Sequence, residues 1–272
     1  MQQAIALLVF DIDGVIRDVG NSYRRALADT VEAFTDGRFR PSQADIDQLK
    51  AEGLWNNDWE ASQELIYRYY ERQGTGRSQL DLSYEKVVDF FQRRYRGAVL
   101  DDPDRWDGYI TQEPLLIDAA HLLDLQTNAL PWGFFSGATR GSATYVLQRR
   151  LGLPDPILIA MEDAPGKPDP TGLLQTVAQI EARFDLSDSL PVVYVGDTVA
   201  DMQTVTAAKA AAGDRPWVGI GVLPPHAHSP ADYAAAYTDK LHTAGAARVI
   251  TNVRELTPPY LVELLQSYGH LG

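Results

Sequence analysis

The sequence predicts an α/β fold: a doubly wound parallel sheet interrupted after its first strand by a helical insertion. Three observations lead there. Short apolar runs alternate with segments of helical period over most of the chain, strands are scarce between residues 19 and about 105, and the apolar runs end in polar, glycine-marked turns. The length of 272 residues allows for about two domains.

Residues 4–10, AIALLVF, form a continuous apolar run suited to a strand covered on both faces. Asp11 and Asp13 follow at its carboxyl end, and Gly14 permits a sharp turn. Tyr23, Leu27, Val31 and Phe34 then recur at helical spacing, with further helices expected at 42–51 and 58–73. The stretch QGTGRSQLDLS breaks the pattern, and Tyr84, Val87, Val88 and Phe91 mark another helix ending before DDPDRW. Beyond Ile117 helix and strand alternate: LIDAAHLLDLQ, ALPWGFFSG, TYVLQRRLG and DPILIA. After GKPDP come a helix at 171–183, the strand PVVYVGD, a helix at 200–212, the strands PWVGIGV and ARVITN, and a final helix near 255–268. Repeated crossovers of this kind place helices on both faces of a parallel sheet.

Composition narrows the function classes. Twenty-four basic residues against 37 acidic ones give a formal net charge of −13, which repels nucleic acid and anionic lipid, so neither is expected as a partner. A small anionic metabolite is still compatible, because a local cation reverses the field inside a cleft. The absence of cysteine excludes disulfides, thiolate nucleophiles and cysteine-ligated metals. No run of about 20 apolar residues occurs and MQQAIALLVFDIDG lacks the pattern of a secretory signal, so the expected location is cytoplasmic. Nothing chooses between monomer and homodimer.

Four polar segments follow in order: FDIDG (10–14), FFSGATR (134–140), GKPDP (166–170) and VVYVGDTVAD (192–201). Any one of them reads as an ordinary turn or helix cap. Together they deliver carboxylates, a hydroxyl and a lysine to the carboxyl ends of three strands and one loop, where they could converge on one crevice. The set resembles the four motifs of the haloacid dehalogenase superfamily, whose members are mostly magnesium-dependent phosphatases; the closest likeness is to subfamily IA phosphatases with a helical cap of the C1 type.

The resemblance implies a Rossmann-like core over residues 1–18 and 106–272 and a helical cap over 19–105. It implies Asp11 as the nucleophile that accepts the phosphoryl group and Asp13 as the general acid and base. The second aspartate argues against an actual dehalogenase, a branch that lacks it. Ser136, with the Gly137 amide beside it, would contact phosphoryl oxygens, and Lys167, held between Gly166 and two prolines, would neutralise phosphoryl group and nucleophile. Mg2+ would be held by Asp11, Asp197, the Asp13 backbone carbonyl and Asp201, with orientation of Lys167 as the alternative for Asp201.

Substrate choice falls to the insertion. Trp55, Asn56 and Asn57, in EGLWNNDWEAS, are the substrate-facing candidates, against the plainer readings of packing within the insertion and helix capping. Arg17 could face an anionic tail. Thr139, Arg140, Arg24 and Arg25 are weaker, and nothing around Lys50 marks it as the Schiff-base lysine of the superfamily's phosphonate hydrolases. His226 and His228, in PPHAHSP, read as a polar surface loop. The expected activity is hydrolysis of a small phosphomonoester, such as phosphoglycolate or a sugar phosphate. A phosphosugar mutase and a non-enzymatic phosphoacceptor or binding protein are the alternatives.

Overall fold

The computed structural model describes residues 4–55, 57–187, 189–213 and 215–269. Six parallel strands form one sheet: β1 (Leu7–Phe10), β2 (Trp132–Phe135), β3 (Leu158–Ile159), β4 (Val192–Gly196), β5 (Trp217–Val222) and β6 (Arg248–Ile250). Their order is β3-β2-β1-β4-β5-β6. The order reverses direction at β1, so the crevice outside its carboxyl end is where such a sheet can receive a ligand. Register brings the strand ends level: Phe10 pairs with Phe134 on one side and with Val195 on the other.

Why the central strands form is plain from their composition. All four residues of β1 and all five of β4 are buried, as expected for strands covered on both faces. Leu7 and Val9 pack in a cluster with Phe135, Ile180, Val192, Tyr194 and Val205, contributed by β2, β4, α7 (Thr171–Phe184) and α8 (Val199–Ala211). Strand alternation sends Leu8 and Phe10 to the opposite face, where the Phe10 and Phe134 rings lie 6.2 Å apart. Helix α7 closes on β2 because Gly133 has no side chain: a Cβ there would come within 3.0 Å of Thr176.

The chain divides into two compact units, Met1–Asp18 with Leu115–Gly272, and Val19–Pro114. The second contains α1 (Tyr23–Phe34), α2 (Gln43–Lys50), α3 (Asp58–Arg72) and α4 (Tyr84–Tyr95), with no strand among its described residues. Tyr23, Phe91 and Tyr95 cluster at its centre, the Tyr23 and Tyr95 rings 4.1 Å apart. The helical unit runs past residue 105, where the sequence placed its end. The Tyr109 hydroxyl donates to Asp29 at 2.6 Å and the Ser22 hydroxyl to Glu113 at 2.5 Å, so the turns after DDPDRW are tied to α1 and the residue before it.

In the strand-containing unit the remaining helices are α5 (Ala119–Thr127), α6 (Arg140–Thr144, continued by a π-helical turn over Tyr145–Arg150), α9 (Ala231–Thr243) and α10 (Pro258–Ser267). Helix α9 was not foreseen. Only Leu241 of its residues is buried, so it lacks the apolar stripe by which the other helices are recognised. Its ends do carry a signal, with Pro230 before it, Asp232 in the first turn and Lys240 and His242 in the last. No described helix is long and apolar enough to cross a membrane.

Candidate active site

Strand β1 carries Asp11 to the centre of the sheet, where its backbone N–H donates to Val195 O at 2.8 Å. The chain then turns tightly: Gly14 N donates to Arg17 O at 2.9 Å and Ile16 N to Ile12 O at 2.8 Å. Gly14 has a φ of +76°, and a Cβ on it would sit 2.1 Å from Asp197 Oδ2. Gly14→Ala should therefore cost roughly 2 kcal/mol or more and displace Asp197. Thermal unfolding would register it; a variant that unfolds at the wild-type temperature would refute the close approach.

The turn also decides where Arg17 goes. Its side chain is fully buried and doubles back on Asp13, with Nε and Nη2 each 2.6 Å from Asp13 Oδ1. That differs from the sequence-based expectation of Arg17 facing a substrate's anionic tail, because the guanidinium is spent on its neighbouring carboxylate.

Asp197 and Asp201 come from the end of β4 and the first turn of α8. Thr198 caps that helix, its hydroxyl accepting from Asp201 N, while Asp201 Oδ2 accepts from Thr198 N at 2.9 Å and from its hydroxyl at 2.6 Å. Asp201 Oδ1 faces the other way, accepting from Lys167 Nζ at 2.6 Å and from the Tyr194 hydroxyl at 2.8 Å. Lys167 Nζ also lies 2.9 Å from Asp11 Oδ1. The capping role weighed for Asp201 and the lysine-orienting one thus coexist.

The electrostatics follow from burial. Asp11 is pushed up from 3.8 to about 7, chiefly by burial, with Lys167 pulling down and Asp201 and Asp13 pushing up. Asp197 is raised well above the ordinary carboxylate range by burial, Asp201 and Asp11. Asp201 is held below it, since Lys167 and the Thr198 hydrogen bonds outweigh burial. Burial works against the charge of Lys167 too, but Asp11 and Asp201 prevail and hold it above the usual lysine range.

Ser136, at the end of β2, is fully buried, and its Oγ accepts from Ala138 N at 3.1 Å. That bond uses the oxygen as acceptor and leaves the O–H to donate. Gly137 beside it is exposed, with open space where a Cβ would be. Thr139 caps α6 through Ser142 N, and Arg140 pairs with Asp163.

The other sequence candidates belong to the helical unit. Trp55 Nε1 donates to Glu52 at 2.9 Å, and Asn57 caps α3 by accepting from Trp59 N at 2.9 Å. Asn56 lies outside the described residues. Lys50 pairs with Asp58 at 2.8 Å, Arg24 with Asp47, and Arg25 lies over the Tyr109 ring.

Asp11, Asp197 and Asp201 are buried, and each offers an oxygen within 4.8 Å of the others'. One ammonium among three carboxylates leaves negative charge for a divalent cation, and oxygen donors of this kind suit Mg2+. The donor set therefore fits the metal, with Asp11 and Asp197 the better ligands because all four bonds to Asp201 come from this chain's own donors.

A pH dependence follows. Because the folded protein binds a proton at Asp11 more tightly than the unfolded chain, the stability this group contributes is full below about pH 4 and lost as pH rises through about 7. Cation and proton compete for these carboxylates, so saturating Mg2+ should raise Tm more at about pH 8 than at about pH 5.5. An equal shift at both would contradict the buried pair.

The family model described as haloacid dehalogenase-like hydrolase matches residues 5–209. Among solved structures, a phosphonoacetaldehyde hydrolase-like protein from Oleispira antarctica gives a TM-score of 0.67 at 15% identity, covering 98% of this chain and 96% of that one. A HAD family hydrolase from Deinococcus radiodurans R1, solved with bound phosphate and sodium, gives 0.60 at 21% identity, covering 100% and 99%. At such identities the likeness shows the fold. A protein described as imidazoleglycerol-phosphate dehydratase, from Phytophthora nicotianae, is 28% identical over 258 residues, which are 92% of this chain and 51% of that protein. The chain thus spans about half the length of that curated relative. A parallel α/β sheet, an inserted helical unit and a family match over most of the sequence agree, and the chain belongs to the haloacid dehalogenase-like hydrolases.

Proposed function

We propose that the chain is a magnesium-dependent phosphatase that hydrolyses a small phosphomonoester through an aspartyl-phosphate. The observation that carries this reading is the buried Lys167 ammonium, 2.9 Å from Asp11 and 2.6 Å from Asp201 at the switch point of the sheet. An Asp11 oxygen attacks phosphorus and the bond from phosphorus to the alcohol oxygen breaks. Asp13 delivers the proton that the departing alkoxide needs, then takes one from the water that attacks the aspartyl-phosphate and releases inorganic phosphate. Lys167 and the Ser136 hydroxyl, with the Gly137 amide, meet the negative phosphoryl oxygens. Arg17 holds Asp13 in the turn. Asp11, Asp197 and the Asp13 carbonyl would hold magnesium, which when bound neutralises charge between the carboxylates and the phosphoryl group.

For the substrate class, the favoured reading is a phosphomonoester whose alcohol carries an imidazole ring. The relative of which the match covers 51% carries the name of a dehydratase acting on an imidazole-bearing phosphate. A phosphatase joined to such an activity would sensibly act on a related imidazole phosphate. The acid excess of this chain also favours a substrate with a cationic end. Trp55, Asn56 and Asn57 are the proposed specificity residues of the helical unit.

The test is a panel of an imidazole-bearing alkyl phosphate, the same phosphate without the ring, 2-phosphoglycolate and hexose phosphates, assayed with Mg2+ and with EDTA. Free alcohol and phosphate in the magnesium arm support the hydrolase, and a kcat/KM at least about tenfold higher with the ring supports the substrate class. An isomeric sugar phosphate would mean a mutase, and a stable phosphoprotein without turnover would mean a phosphoacceptor.

A further inference from the structure

We propose that Tyr194 is a positioning residue that fixes Lys167 through Asp201, and that it matters most after the phosphoryl group has moved to Asp11. The inference rests on the phosphoryl-transfer reading above. Tyr194 is fully buried in the middle of β4, paired with Val9 of β1 and Gly219 of β5. Its hydroxyl donates to Asp201 Oδ1, the same oxygen that accepts from Lys167 Nζ. Its ring centroid lies 5.5 Å from that ammonium, and the Phe135 centroid lies 5.2 Å from it. Lys167 is therefore set by two carboxylates and two aromatic rings.

Nothing in this arrangement is loose. Asp201 sits directly over Gly196, where an added Cβ would come within 2.4 Å of the Asp201 Cβ. Phe135 is pressed by α7 in the same manner, since a Cβ on Gly172 would fall 2.1 Å from its ring. Asp201 Oδ2 is committed to Thr198, so Oδ1 is the only oxygen of this carboxylate left for the lysine, and the Tyr194 hydroxyl fixes where Oδ1 points.

Before transfer, Asp11 shares the ammonium with Asp201. Once its oxygen is bonded to phosphorus, Asp11 is an acyl group without a full negative charge, and Asp201 becomes the lysine's remaining carboxylate anchor. Loss of the Tyr194 hydroxyl therefore weakens the anchor in the hydrolytic half of the cycle more than in the first half.

Tyr194→Phe keeps the ring and removes the hydroxyl; Tyr194→Leu removes both. In Tyr194→Phe kcat should fall about tenfold with little change in the half-saturating Mg2+ concentration, and acid-quenched samples should hold a larger steady-state fraction of phosphoenzyme than wild type. Tyr194→Leu should also slow formation of the phosphoenzyme. Combining Tyr194→Phe with Asp201→Asn should give less than the sum of the separate effects. The Lys167 ammonium resonance in 15N-edited spectra supplies a readout without turnover: Tyr194→Phe should shift it and Tyr194→Leu should shift it further. An unchanged phosphoenzyme fraction with an unmoved lysine signal overturns the assignment, as does a kcat loss with unchanged partition, which marks a merely structural effect. Failure of the underlying reading is distinct: wild-type protein itself would then form no phosphoenzyme, or form one that does not turn over.

Discussion

Asp11→Asn should abolish phosphate release from every phosphomonoester the wild type hydrolyses, lowering kcat by at least about a thousandfold while leaving the fold intact. The amide has nearly the shape of the carboxylate, so the packing around β1 survives. What is lost is an oxygen able to bond to phosphorus. The same substitution removes a group whose charge burial disfavours, raising its titration to about 7. The metal-free variant should therefore be at least as stable as wild type near pH 8, by up to a few kcal/mol. Phosphate release measured with thermal unfolding separates the two effects. Robust turnover in the variant would remove Asp11 from the nucleophile's position, and a large loss of stability would show that the carboxylate is structural.

Lys167→Met should damage both activity and stability. Methionine fills a similar volume but carries no charge, leaving Asp11 and Asp201 buried without their shared cation. Removal of one partner from such a cluster typically costs about 3–5 kcal/mol, and loss of the ammonium from the phosphoryl site should lower kcat by about a hundredfold or more. The stability defect has a pH signature. Lys167 helps to hold Asp201 below the ordinary carboxylate range, so its benefit is present above the unfolded value of 3.8 and disappears as Asp201 becomes protonated. Urea denaturation should show a defect that persists from about pH 8 down to about pH 4 and shrinks only below it. A constant defect would identify a packing role alone. Lys167→Arg should not restore activity, because a planar fork cannot occupy the compact position between two carboxylates and two rings.

How much of this was legible depended on whether the physical cause was local. Strands β1, β2 and β4 announced themselves because full burial on both faces demands unbroken apolar runs, and the polar residues that end them converge because the strands are parallel and in register. Arg17 was not legible in the same way. Its direction is set by a turn that brings its backbone carbonyl to Gly14 N, and an arginine just past a strand could equally have faced outward. Tyr194 was hidden by its surroundings: within PVVYVGD it reads as one more apolar strand residue, and only its height in the sheet puts the hydroxyl on Asp201. The end of the helical unit was misplaced because DDPDRW looks like a boundary, whereas Glu113 and Tyr109 bind back to Ser22 and Asp29 from beyond it.

The crowding of Asp11, Asp197 and Asp201 around one lysine has a thermodynamic corollary. Burial raises the proton affinity of both Asp11 and Asp197 above that of ordinary carboxylates. Binding of a dication by these carboxylates would therefore be an exchange, displacing any proton they hold. Its enthalpy would include the ionisation heat of whatever buffer receives those protons, and its apparent affinity would track acidity as closely as it tracks magnesium.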